Sequence, residues 1–416
     1  MSRIVHIIHG SPPESMGGTG LYVRALAAAQ AEAGHQVAIL SPNPGSPTAQ
    51  HPSKDGVEHW AIQTDAVRKW TDTWDGSFEP WLRWCSDWKP SVVHFHHLSG
   101  WPLKMIEATP CRTVLTLHDY AIPCARGQLV REDLSRCEGP SVSECTRCLG
   151  PALRTHPLLS KAAQLLKPFP ALTHLGKSVV GHTRDQDDRV ASRAEAAQSA
   201  IDAVDVLLAP SRDLIERMTR YGFRSPEETT LPLLQQAVAH PEPNTGPVRF
   251  LYASSIIPTK GPDRLFQAFL RAGEGGQLSI AGHAPRFDSH PTFAADLEQA
   301  ARKHPNIHWL GPIEPEDVPD LMAQHDVLVL PSIWPENSPL VVREATAAGL
   351  SVIVSALGGA GELAPQAKLI NSDADLESAI KQAIQIGRMR HTPARWPTPL
   401  EHAESLFEGP YSEERA

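Results

Sequence analysis

The stretch VLVLPSIWPENSPLVVREATAAGLSVIVS, residues 327–355, holds a strand, a loop with one glutamate, a helix with a second, and another strand. The apolar run 327–330, bounded by Asp326 and Pro331, reads as a buried strand. Ser338 suits an N-cap and Pro339 the first helical position, where a missing N–H costs nothing. Gly349 closes the helix as C′, and a strand follows at 351–354. Strand, helix and strand in this order form the unit of a parallel sheet. A strand that runs into a helix start also leaves backbone N–H groups unpaired beneath the positive end of the helix dipole, a place for an anion such as a diphosphate. Glu336 then lies beside the anion, and Glu344 two turns into the helix, about 12 Å along its axis. That span suits a ligand with a central diphosphate, a sugar at one end and a ribose at the other, because carboxylates accept paired hydrogen bonds from vicinal hydroxyls. Taken alone, a helix-surface acid and a solvated loop acid account for the two glutamates as well.

Working outward, strands read at 4–8, 37–40, 92–95, 113–117 and 204–209, with a helix at 20–33 closed by Gly34. A second series reads at 249–254, 278–281, 307–310, 327–330 and 351–354. The alternation of strands and helices implies parallel sheets with crossover helices, so the fold class is α/β. Residues 240–247 read as the linker, which divides the chain into an N-terminal domain, 1–242, and a C-terminal domain, 243–395. A final segment, 396–416, contains a helix at 399–407. Doubly wound domains bind ligands in a cleft at the carboxyl ends of their strands.

Composition bounds the function. The 416 residues suffice for two cores, and 38 Lys+Arg against 47 Asp+Glu give a net charge of −9, with no basic field for nucleic acid. The N-terminal apolar run is interrupted by His6 and is too short for a signal peptide, and no later run approaches a membrane span. A cytoplasmic protein without a transmembrane segment is expected, with peripheral membrane contact left open. The 38 prolines are scattered, and those in 41–52 read as a loop.

Four features fall in register with one family. The pair Glu336 and Glu344 with seven residues between them, the loop His9 to Gly20 with Gly17, Gly18 and Gly20, the histidine at a strand end, His118, and the segment Ser255 to Gly261 with Lys260 all stand in its order and spacing. The chain resembles the family 4 retaining glycosyltransferases over most of its length. The resemblance implies the GT-B fold, two Rossmann-like domains facing a central cleft. It also implies retaining transfer of a hexose-type sugar from a nucleotide-diphosphate sugar to a hydroxyl acceptor, with no catalytic metal. Glu336 would hold the sugar hydroxyls, Glu344 the ribose, and His118 would orient the sugar. Lys260 and the helix start at Ser338, Pro339 and Leu340 would stabilise the diphosphate. Gly17, Gly18, Gly20 and, after its strand, Gly282 would line the donor site; a loop of glycines read by itself is equally a turn. The family's second diphosphate cation, an arginine, is Ser255 here, and Arg264 is a candidate replacement. His94, His96 and His97 end the preceding strand and read as one face of the cleft edge rather than as a metal site. The glycines 358–361 follow another strand and suit either the sugar phosphate or an ordinary turn.

Cys124, Cys137, Cys145 and Cys148, four of six cysteines within 25 residues, end in a Cys-x2-Cys knuckle. The set reads as a structural zinc site, with two disulfides or an iron–sulfur cluster as alternatives. The insertion follows His118 and Asp119, so it is expected to staple a loop over the acceptor side of the cleft. Cys85 and Cys111 read as buried residues. Two rival functions stand beside the transferase: a weakened nucleotide-sugar-binding protein that docks partners through the cysteine insertion, and an epimerase or phosphorylase on the same architecture.

Overall fold

The computed structural model describes residues 1–10, 17–65, 77–149, 184–238, 246–287 and 289–412. Residues 11–16 of the glycine-rich loop and 240–245 of the expected linker, with the expected domain boundary, lie outside the described residues.

Two sheets organise the chain. The first contains β1 (Arg3–Ile7), β2 (Gln36–Pro44), β3 (Ala49–Lys54), β4 (Val57–Thr64), β5 (Val92–Phe95), β6 (Arg112–Thr116), β7 (Val206–Ala209) and β8 (Glu227–Glu228) in the order β3-β4-β2-β1-β5-β6-β7-β8. The second contains β9 (Val248–Ala253), β10 (Gly276–Ala281), β11 (Ile307–Gly311), β12 (Val327–Leu330), β13 (Ser351–Ser355) and β14 (Lys368–Ile370) in the order β11-β10-β9-β12-β13-β14. Every pairing is parallel except β3 with β4. The described helices are α1 (Gly18–Glu32), α2 (Glu79–Trp88), α3 (Val142–Leu149), α4 (Arg184–Ala203), α5 (Arg212–Arg220), α6 (Pro262–Ala272), α7 (Phe293–Ala301), α8 (Val318–Ala323), α9 (Leu340–Ala347), α10 (Asp373–Ile386) and α11 (Pro399–Glu408). The fold is the expected α/β class with two Rossmann-like sheets. Among the described residues, no helix is long and apolar enough to cross a membrane.

Strand alternation decides the two faces of the first sheet. Ile4 and Val37 pack with Tyr22, Val23 and Leu26 of α1 and Leu406 of α11. Val5, Ile7, Ala38 and Leu40 point the other way, onto Trp81, Trp84 and Trp88 of α2, Ala197 and Ile201 of α4 and Leu214 of α5. The second sheet has one continuous core around Phe250, Leu251, Leu328, Val329, Val342 and Val352.

Three sequence expectations are corrected. Residues 41–52 are not simply a loop: β2 runs on to Pro44, pairing only with β4 beyond Leu40, so the missing proline N–H groups fall on the side β1 does not reach. Ser338 is not the N-cap and Pro339 is not helical: Pro339 is itself the cap, with extended φ −65 and ψ 127, and Glu344 is the fifth residue of α9, a little over one turn in. Gly349 does stand just past the helix, at φ +73.

The C-terminal helix α11 lies on α1 of the first half. Tyr22 Oη and His402 Nε2 are 2.8 Å apart, and beyond the helix Tyr411 Oη is 2.7 Å from His94 Nδ1. Asn337 Nδ2 donates to the Leu117 carbonyl at 3.0 Å, while Ser211 Oγ donates to Asn337 Oδ1 at 2.6 Å. The Glu362 carboxylate accepts from the Arg212 and Asp213 N–H groups at 2.8 and 2.9 Å, at the start of α5. Of the glycines in 358–361, Gly359 belongs to this docking contact, where a Cβ would stand 2.3 Å from that of Ser211, while Gly358 packs against the backbone of Glu336.

Candidate active site

Between the sheets lies a cleft of about 830 Å³. It is lined by Gly17, Gly18, His118, Lys260, Gly282, Glu336, Ser338, Pro339, Leu340 and Glu344, together with Ser255 and Arg343. All of the expected transferase residues meet there except Gly20, which is buried in α1. Arg264 does not replace the missing arginine: its guanidinium is held by Asp373 at 2.6 Å and the Pro331 carbonyl at 2.8 Å, outside the cleft lining. Ser255 Oγ lies 3.5 Å from His283 Nε2.

Lys260 reaches the cleft because Gly261 turns the chain at φ +70, where a Cβ would stand 2.3 Å from the Pro331 oxygen. Its ammonium donates to both oxygens of Glu336 at 2.8 and 3.0 Å and sits 4.7 Å over the Trp334 ring. Glu336 is 3 % exposed, and Oε1 also accepts from Ser332 Oγ at 2.5 Å and Trp334 Nε1 at 2.9 Å. Four hydrogen bonds from three side chains fix the carboxylate rotamer and hold Lys260 in the cleft. Ser332 and Trp334 are therefore site residues that motif reasoning missed, though both stand within four positions of Glu336.

Burial pushes the Glu344 carboxyl up to about 7, against the pull of the neighbouring Arg343 guanidinium. Glu344, half-buried, lines the cleft rather than an open helix surface.

His118 ends a buried row of imidazoles. His6 Nε2 is 2.7 Å from the Gln30 amide oxygen, which only accepts, so His6 carries its proton on Nε2. His6 Nδ1 must then accept from His96 Nε2 at 2.9 Å, and His96 Nδ1 from His118 Nε2 at 3.2 Å. The row leaves His118 Nδ1 as a bare acceptor. Burial keeps the rings neutral, lowering His6 to about 4, His118 to about 3, and His94 and His96 well below the ordinary value. His94, His96 and His97 do not form a single face of the cleft edge. His94 and His96 point into the interior, while His97 pairs with Asp119 at 2.9 Å. Burial opposes a proton on His97, but the Asp119 carboxylate outweighs it and raises the pKa.

Among the described residues, the metal-type ligands that converge within 4.8 Å are His6, His94 and His96. These ring nitrogens are engaged by one another, Gln30, Tyr411, Thr116 and His118, which leaves no lone pairs aimed at an ion. The four thiols Cys124, Cys137, Cys145 and Cys148 are free and half-buried. Burial raises Cys148 to about 11, and the neighbouring Cys124, Cys145 and Cys137 add to the shift, so the four sulfurs share one region. Their kind suits a soft four-sulfur site, but no three of the sulfurs lie within 4.8 Å of one another, so the thiols as placed do not form a closed tetrahedral set. The insertion begins at Tyr120, and Arg193 of α4 pins it by donating to the Ala121 and Ile122 carbonyls at 2.5 and 3.1 Å. Ala121, Ile122 and Ala125 border a small cavity of about 50 Å³ beside His97 and His118.

Comparison with known proteins supplies the class. The family model described as glycosyl transferases group 1 matches residues 236–396, and that described as glycosyltransferase family 4 matches residues 16–140. The chain is 26% identical over 374 residues to a glycogen synthase of Mycobacterium tuberculosis, which spans 86% of this chain and 79% of the relative. It is 30% identical over 215 residues to a D-inositol 3-phosphate glycosyltransferase of Rhodococcus opacus, 47% of this chain and 43% of that protein. In fold it is similar to the sucrose-phosphate synthase of Thermosynechococcus elongatus, with a TM-score of 0.66 at 17% identity over 99% of this chain and 96% of that one. A second neighbour is Anabaena HepE in complex with UDP-glucose, with a TM-score of 0.57 at 12% identity over 98% and 94% of the two chains.

Proposed function

We infer that this chain, a family 4-like glycosyltransferase with the GT-B fold, moves a hexose-type sugar from a nucleotide-diphosphate sugar to a hydroxyl acceptor with retention of configuration and without a catalytic metal. The observation that carries this reading is the meeting of Lys260 and Glu336, the start of α9, and His118 around one cleft. Glu336 meets the sugar hydroxyls while holding Lys260 toward the leaving diphosphate, whose growing charge Lys260 and the α9 N–H groups stabilise. His118 Nδ1, a fixed acceptor, receives a sugar hydroxyl and orients the ring, and Glu344 binds the ribose. A UDP-glucose complex of one fold neighbour and glycogen synthase as a sequence relative support a glucose-type donor. A metal such as zinc, were Cys124, Cys137, Cys145 and Cys148 to close around it, would secure the loop that Arg193 holds.

The test is to incubate the enzyme with chelator and UDP-, GDP- or ADP-glucose, and to follow release of the nucleoside diphosphate and the anomeric configuration of the product. One donor is expected to be consumed with retention, and Lys260→Ala to lower kcat by about 10²–10³-fold. Binding without turnover for every acceptor class would favour the weakened binding protein, a reading that Ser255 in place of a cation favours. Turnover of the donor without acceptor, or with phosphate, would indicate epimerase or phosphorylase chemistry.

A further inference from the structure

Arg343 is fully buried at 0 % exposure, yet it lines the cleft. Its Nη1 donates to Ser338 Oγ, which draws the guanidinium back toward the start of α9. The other donors, Nε and Nη2, are buried with no partner among the described residues. A charged group left in this state costs several kcal/mol unless something completes it. No ion pair of the described residues includes Arg343, although Glu344 is its chain neighbour. The cleft has two permanent cations, Lys260 and Arg343, and the charge of Lys260 is already matched by both oxygens of Glu336. Tyr22, His118 and His402, which also feel the Arg343 charge, are neutral, since burial opposes charge on each. Among the described residues, and while Glu344 keeps its proton below about pH 7, the chain thus presents one uncompensated positive charge at a helix N-terminus, facing the loop of Gly17 and Gly18. Gly18 lets that loop come close, since a Cβ there would stand 3.2 Å from Leu340 Cδ1.

We propose that Arg343 is a ligand of the donor diphosphate, with Nε and Nη2 donating to two phosphate oxygens above the start of α9. A planar guanidinium fork matches two phosphate oxygens, whereas a lysine at the same place supplies only a point charge. The partnership also explains how the site works with a serine at position 255: the second cation comes from α9 rather than from the loop after β9.

The proposal rests on the reading of the cleft as a nucleotide-diphosphate-sugar site. Titration calorimetry with UDP, GDP and ADP, and with the matching nucleosides, separates the two. For whichever diphosphate the wild type binds, Arg343→Gln is expected to weaken binding by about tenfold or more while leaving the nucleoside unaffected, and Arg343→Lys to fall between. Because the variant removes an uncompensated buried charge, Arg343→Gln and Arg343→Leu are also expected to raise the Tm of the empty protein, which guards against loss of binding through misfolding. Wild-type binding that Arg343→Gln leaves intact would overturn the proposal alone. Equal losses for diphosphate and nucleoside would overturn it too, by making Arg343 a structural residue. No binding of any of the three diphosphates to the wild type would remove the donor reading and this ligand together.

Discussion

Glu344 couples the cleft to pH. Its folded-state pKa, raised by burial to about 7, lies above the ordinary carboxyl value, so the native protein holds the proton that an unfolded chain releases. The stabilisation this gives is complete below the ordinary carboxyl range and is lost as pH rises through about 7. A ribose diol that donates two hydrogen bonds prefers the ionised carboxylate, so ligand binding has the opposite slope. Affinity for a nucleotide sugar, whose diphosphate does not titrate in this range, is expected to rise about tenfold per pH unit below pH 7 and then level. Calorimetry between pH 5.5 and 8, with Glu344→Gln expected to give a flat profile, checks this; a flat wild-type profile would separate Glu344 from the ligand. At this scale the sequence shows the residues that spacing announces, Glu336, Lys260 and His118. It hides those that join through folding: Trp334 and Ser332 reach Glu336 only because the 331–339 loop turns back on itself, and Asn337 meets the Leu117 carbonyl 220 positions away.

Elements were legible where periodicity was strong and misread where a local signal competed with tertiary pairing. β1, β5, β9, β12 and β13 are short apolar runs between polar or turn residues, and each lies within a residue or two of its expected place. The strand passing through Pro42 and Pro44 was hidden because those prolines signal a loop unless the neighbour across each edge is known. The start of α9 shifts for a related reason: Ser338 is diverted from capping by the buried Arg343, which takes its hydroxyl as an acceptor. The cysteine element was visible as spacing alone. Cys145 and Cys148 lie one turn apart on α3, and Cys124 and Cys137 lie on the loop that Arg193 holds. If the four thiolates hold zinc, purified protein is expected to contain one zinc per chain, and the Cys145→Ser, Cys148→Ser double variant to lose both the metal and several degrees of Tm. Metal analysis that finds no zinc in the wild type would leave the loop to Arg193 and its two carbonyls.

The whole molecule is tied across its halves by a few polar contacts and by Trp334 and Ile333, which pack into the core of the first half. Asn337 and Glu362 join the second half to Leu117 and the start of α5, and α11 returns the chain end to α1. The two-sheet architecture was readable from the order of strands, while these ties were not, since each joins positions more than 100 residues apart. The GT-B expectation and the glycosyltransferase class agree with the comparisons, and the residue roles await the measurements above.

The row of buried imidazoles has a consequence for the molecule as a body in solution. His6, His94, His96 and His402 are at most 2 % exposed and resist protonation in the fold, but an unfolded chain takes up a proton at each below about pH 6.5. Each site then subtracts about 1.4 kcal/mol of stability per pH unit of acidification, until the folded-state pKa is reached. Four such sites acting together consume a margin of about 5–15 kcal/mol within one to three pH units. Stability is therefore expected to fall steeply as pH drops from 6.5 toward 5, with a proton uptake on unfolding of at least four, measured by denaturant titration at stepped pH. A shallow slope would mean that the imidazoles are already charged in the fold. The interior then sets the lowest pH at which the fold persists, below the pH near 7 at which the Glu344 carboxyl begins to give up its ligand.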